Sequence, residues 1–77
     1  MTLDHLRESW ERKYSVIAEA RPDNSTLLVV LRYHNAETYT CHRYIQLGVE
    51  NWDVSVDHQA IAADGAMKWL SQHISGR

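Results

Sequence analysis

The chain predicts a two-layer α+β domain in the order α-β-β-β-α, a three-stranded antiparallel meander with both helices on one face. Three observations carry that expectation. Apolar residues recur with period two from Tyr14 to Leu47. The turn-forming clusters Pro22-Asp23-Asn24-Ser25 and His34-Asn35-Ala36-Glu37 cut this run into three strands. Helical spacings of apolar residues flank it on both sides.

Leu3, Leu6 and Trp10, followed by Tyr14, lie at helical spacing. Thr2 or Asp4 can cap the start, and Glu8, Glu11, Arg12 and Lys13 form the opposite side. Ile17 and Ala18 keep the same period, so a helix continuing to Ala20 competes with a strand from Tyr14. The strand is preferred because it makes the next hairpin coherent. A loop over residues 22–25 pairs Ala20 with Leu27, Ala18 with Val29, Val16 with Leu31 and Tyr14 with Tyr33. An odd-length loop at Asn35 pairs Tyr33 with Tyr39, Leu31 with Cys41 and Leu27 with Ile45. One face is then almost wholly apolar across three strands, and a one-residue slip would scramble it.

Residues 48–51 read as a turn, and the alternation of Trp52, Val54 and Val56 suits a short fourth strand over residues 52–56. Val56, Ala60, Ala63, Met67, Leu70 and Ile74 follow steps of four, three, four, three and four, which predicts a second helix. Ser55 or Asp57 would cap it and Gly76 would stop it.

Residues 1–77 suffice for a single compact domain and leave no room for a second core. A domain this small buries only about 60–65% of its unfolded surface and gains from a partner or from pairing with itself. Hydrophobic residues make up 44% and charged residues 23%, so disorder is not indicated. The net charge of −2 argues against a dedicated nucleic-acid binder, which presents a strongly basic face. Cys41 is the only cysteine, which excludes an intrachain disulfide and the cysteine-rich zinc spacings. No apolar run approaches membrane-spanning length, and residues 1–5 lack an apolar secretory core. The expectation is a cytoplasmic protein without membrane contact. Phe is absent, and Trp10, Trp52, Trp69 and four tyrosines supply every ring, a mild tilt toward residues favoured where one side stays wet.

Two candidate binding surfaces remain once the core is assigned. On the outer sheet face Ile17, Leu28, Val30 and Tyr44 would form an apolar centre, with Arg32 and His42 at its rim. On the back of the second helix Ile61, Ala62, Gly65 and Trp69 would lie opposite the core stripe, beside His58. Gly65 in mid-helix costs about 1 kcal/mol relative to Ala, which the close approach of another backbone would offset. Both surfaces are candidates for contact with a protein partner or a second copy.

No cofactor or metal is implied. His34, Cys41 and His42 are neighbours in sequence, but strand alternation sends Cys41 and His42 to opposite faces. His58 and His73 are far apart along the second helix. Cys41 in mid-strand reads as an inert buried thiol, and phosphate-loop, nucleophile-elbow and metalloprotease motifs are missing. The expectation is a protein that is not an enzyme.

The order helix–strand–strand–strand–helix resembles that of double-stranded-RNA-binding domains, and Arg32 and Arg43 stand against a lone Glu37 over residues 24–47. The resemblance implies a Lys-rich start to the second helix, where this chain has Asp57-His58-Gln59-Ala60, so nucleic acid is the weaker alternative. A small-ligand-binding protein is a third class. The favoured expectation is a small protein-binding module, a regulator or inhibitor that docks on a larger complex or pairs with itself. Anti-defence proteins of phages and mobile elements are a natural instance on base rates alone.

Overall fold

The computed structural model describes residues 1–75. The elements are α1 (Leu3–Glu11), β1 (Tyr14–Asp23), β2 (Thr26–Tyr33), β3 (Tyr39–Gly48), β4 (Asn51–Ile61) and α2 (Ala63–Ser75). The strands form one antiparallel sheet in sequential order, β1-β2-β3-β4. The α+β meander read from the sequence is present, with β4 as a full strand. Residues 14–20 are strand, not an extension of α1.

The two helices do not share a face. Leu27, Leu28, Val29, Val30 and Leu31 are consecutive in β2 and all buried, although successive side chains on a strand point to opposite sides. Both sides are therefore covered. Leu27, Val29, Leu31 and Tyr44 pack with Leu3, Leu6 and Trp10 of α1. Leu28, Val30 and Cys41 pack with Ala66, Trp69 and Leu70 of α2. The expected two-layer arrangement is corrected to a helix–sheet–helix sandwich, because an antiparallel strand apolar on both faces needs a cover on each.

Register explains the rest of the difference. The predicted pairs Tyr14–Tyr33 and Val16–Leu31 form. A bulge at Ile17 then shifts Ala18 opposite Val30 and Ala20 opposite Leu28, which turns both alanines toward α2. Across β2 and β3 the register differs by one residue from the predicted pairing: Arg32 opposes Tyr39, Val30 opposes Cys41 and Leu27 opposes Tyr44. That single step puts Cys41 with Val30 under α2 and Tyr44 with Leu27 under α1.

Thr2 caps α1, its hydroxyl accepting from the His5 amide at 3.3 Å. The carbonyl of Met1 accepts from the Trp52 amide at 2.7 Å, which ties the start of α1 to β4. Arg7 reaches Glu11 at 3.0 Å and Glu19 of β1 at 2.8 Å. β4 continues well past residue 56 and ends at Ile61 after Ala60 turns to a φ of 56°. Ser55 and Asp57 are therefore strand residues, not caps, and α2 begins only at Ala63. The four-residue step from Val56 to Ala60 matched a helical period by coincidence. Ala66, Trp69 and Leu70 face the sheet, while Met67 and Ile74, predicted inside, are exposed. The predicted stop at Gly76 lies outside the described residues.

Gly65 sits exposed in the first turn of α2, and a Cβ built there would meet only the Ile61 Cδ1 at 3.5 Å, an ordinary contact. No backbone of the described residues approaches it, so close packing at this glycine does not come from within the domain. Gly65→Ala is expected to raise stability by about 0.5–1 kcal/mol, read as a higher midpoint in urea denaturation.

Candidate protein-binding surface

The open outer sheet face expected from the sequence does not exist. Leu28 and Val30 lie under α2, His42 and Tyr44 lie under α1, and all four are buried. Arg32 is half-buried, and Ile17 is exposed at the β1 bulge. The six residues are split between two faces because of the bulge and the one-residue register step. On α2, Trp69 is buried at the centre of the helix–sheet contact, Ile61 is half-buried beside it, and His58, Ala62 and Gly65 are exposed. The predicted back face is thus divided between core and surface, because the helix is rotated to bury its tryptophan.

Burying Trp69 is possible because its polar edge is matched. Its indole N–H donates to Asp57 Oδ2 at 3.1 Å. Asp57 Oδ2 also takes the Arg43 guanidinium at 2.7 Å, and Asp57 Oδ1 accepts from the Ser55 hydroxyl at 3.1 Å. His73 Nδ1 donates to the Trp69 carbonyl at 2.9 Å, which leaves Nε2 to accept from Arg43. Burial pushes the Asp57 carboxyl up, but the Trp69, Arg43 and Ser55 donors outweigh it and hold the group below its usual range. The cluster joins β3, β4 and α2. The Ser55 hydroxyl gives its hydrogen to Asp57, and both His73 nitrogens are engaged by Trp69 and Arg43 rather than by Ser55, so the chemistry of the cluster is that of a brace. Among the described residues no three His, Cys, Asp or Glu side chains converge as a metal-binding group. Burial, with the nearby Asp57 charge second, raises the Cys41 thiol to about 11, so its thiolate is not populated near neutral pH.

The other face holds a buried histidine. His42 is fully buried beneath Trp10, whose ring stands edge-on to it at 4.5 Å. Its Nδ1 lies 3.5 Å from the Tyr44 hydroxyl, and its Nε2 has no hydrogen-bond partner. Burial lowers its pKa from 6.5 to about 4, partly opposed by Asp57. Above pH 6.5 the ring is neutral in both folded and unfolded chains, so its titration leaves stability unchanged there. Between pH 6.5 and 4 the unfolded chain takes up a proton that the folded chain refuses, so stability falls as pH falls. The full loss is about 3 kcal/mol. Urea denaturation between pH 7.5 and 4 should show this slope, and His42→Leu should flatten it.

The surface with the clearest departure from what folding alone requires is the β3–β4 hairpin. Ile45, Leu47 and Val49 are exposed along it, Leu47 at 64% and Val49 at 91%. The turn residues are Val49 and Glu50, and Glu50 holds a φ of 56°. Two-residue hairpin turns favour Asn, Asp and Gly, which reach positive φ without a steric penalty. A β-branched side chain in solvent beside a strained glutamate contributes little to the fold. Acidic residues surround the tip. Asp4 and Glu50 line one shallow depression with Val49 and Trp52, and Asp23 lines another with Ile45, where Arg43 and His73 offset its charge. Asp53 opposes Ile45 on β4, and Arg21 covers the ring of Trp52 at 5.8 Å. Sequence reasoning treated residues 48–51 only as a turn. The signal available was the absence of a turn-favouring pair at Val49-Glu50.

Asp57→Ala removes the acceptor shared by Arg43, Trp69 and Ser55 and should cost about 2 kcal/mol in urea denaturation at pH 7. It should also remove the part of the acid sensitivity below pH 3.8 that comes from this carboxylate, since a depressed carboxylate stabilises the fold above that pH.

No protein-family model, curated protein or solved structure matches the chain.

Proposed function

We propose that the protein is a non-enzymatic protein-binding module that docks through its β3–β4 hairpin onto a larger assembly, as a regulator or inhibitor would. The observation that carries this reading is the Val49-Glu50 turn. A left-handed glutamate occupies a position where the fold would gain from Gly, and an exposed valine stands beside it. Residues that break a local rule without a folding benefit mark function more often than chance.

The surrounding carboxylates select the partner class. Apolar side chains rimmed by Asp4, Glu50 and Asp53 suit a partner cleft with apolar walls and a basic rim. The same charges oppose nucleic acid and anionic lipid. Catalysis has little support, because Cys41 and His42 are sealed in the core. Self-pairing through strand edges is also disfavoured. β1 carries the Ile17 bulge and Pro22, and β4 is irregular around Asp57 and at Ala60.

Replacing the turn separates binding from folding. V49N/E50G is expected to raise stability by about 1 kcal/mol, because glycine reaches the left-handed conformation of position 50 without strain. Affinity capture from the cells that make the protein should recover a partner with the wild-type chain and lose it with this variant. Equal capture by both chains would overturn the hairpin as the docking surface.

A further inference from the structure

A second surface has a different chemistry. At the C-terminal end of α1 an open cleft of about 360 Å³ is lined by Ser9, Trp10, Lys13, Tyr14 and Tyr33. The Trp10 and Tyr14 ring centroids are 5.8 Å apart at 62°, and those of Tyr14 and Tyr33 are 5.2 Å apart at 71°. Edge-to-face rings make ridges with slots between them rather than a flat platform. Tyr33 stands half in solvent at 50% exposure, and Trp10 is braced from below by buried His42. The walls are therefore set before any ligand arrives, which lowers the ordering cost of binding.

The lining is one-sided in hydrogen bonding and charge. The Trp10 indole N–H and the Tyr14 and Tyr33 hydroxyls find no acceptor among the described residues, in contrast to Trp69, whose indole is bonded to Asp57. Lys13 adds a cation, and none of the five lining residues is a carboxylate. Depressions along the outer side of α1 and beside the hairpin tip include Asp4, Glu8, Glu11 or Glu50. In a chain of net charge −2, this cleft offers donors and a positive charge to an acceptor-rich ligand.

We infer that the cleft binds a proline-rich segment of a partner protein in the polyproline II conformation, with an acidic residue of that segment placed against Lys13. Such a segment carries free backbone carbonyls, because the conformation makes no internal hydrogen bonds, and it enters binding already stiff. Its proline rings fit slots between aromatic ridges, and its carbonyls accept from indole N–H and tyrosine hydroxyl groups. A single-stranded nucleic acid fits less well, since it needs parallel faces for stacking and more than one cation along the backbone. A small metabolite fits less well too, because the cleft does not enclose it.

The test uses the full chain, labelled with nitrogen-15, and a synthetic decamer containing two Pro-x-x-Pro repeats and one glutamate. Addition of the peptide should shift the amides of Ser9, Trp10, Lys13 and Tyr14 and the Trp10 indole N–H, leaving the β3–β4 hairpin unmoved. Tyr33→Ala should weaken binding at least tenfold with only a small drop in melting temperature, because the half-exposed ring gives up little beyond its edge-to-face contact with Tyr14. Lys13→Glu should weaken the glutamate peptide and not a version carrying glutamine. No shifts at 2 mM peptide would overturn the inference. Equal binding of a decamer with every proline replaced by alanine would do the same, as would tighter binding of an oligothymidine at this cleft. Because the hairpin variant V49N/E50G leaves the cleft intact, it should bind the decamer as the wild type does, which separates this site from the hairpin.

Discussion

Leu27 to Leu31 put three side chains on one side of the sheet and two on the other, and burying both sets is the constraint on which the arrangement of the domain depends. Full burial of an aliphatic side chain of this size is worth about 1.5–3 kcal/mol. Each face of β2 thus contributes on the order of 5 kcal/mol, similar to the whole net stability of a small domain. Neither face can be left open. With only two helices available, each must cover one face. Their short lengths then decide what else is buried. α1 has no fully buried residue of its own and acts as a lid over Tyr44 and His42, whereas α2 drives Ala66, Trp69 and Leu70 into the sheet.

That constraint was visible in the sequence but was outweighed by period two. Tyr14 to Leu47 alternates well enough to predict the meander, its turns and the β1–β2 pairing at Tyr14 and Val16. An uninterrupted Leu27-Leu28-Val29-Val30-Leu31 is the signature of a strand buried on both sides, and it called for helices on opposite faces. The bulge at Ile17 left no mark in composition, because Ile17 sits as comfortably in a regular strand as in a bulge. The β2–β3 register depended on a loop length that could be counted two ways. Since one residue of register exchanges the faces, the candidate sheet surface failed together with the register. The second helix was read too early because Val56 and Ala60 satisfy strand and helix periods alike. Its rotation follows from Asp57, which accepts from the Trp69 indole and belongs to β4 rather than to the helix that the period alone predicts.

Polar chemistry inside the domain divides along the same two faces. Beneath α2 the polar atoms of Asp57, Trp69 and His73 find partners, and the orphan Nε atoms of Arg32 and Arg43 are the exceptions. Beneath α1 the His42 ring is kept neutral and half-unsatisfied under Trp10. A leucine would pack there at less expense. The histidine instead makes the lid over that face sensitive to acid, while the face under α2 is held by a carboxylate that stays charged. The two halves of the interior therefore respond to pH over different ranges.

The sandwich is closed by one helix that precedes the strands and one that follows them, and this has a consequence for synthesis. As the polypeptide leaves the ribosome, α1 and the hairpins emerge first, so Leu27, Val29 and Leu31 can be covered during elongation. Leu28, Val30 and Cys41 wait for residues 63–75, which are translated after all four strands. Until then the nascent sheet carries an apolar side with nothing over it. A stalled or prematurely terminated chain would be a sticky fragment, suited to chaperone capture or rapid proteolysis rather than to partial function.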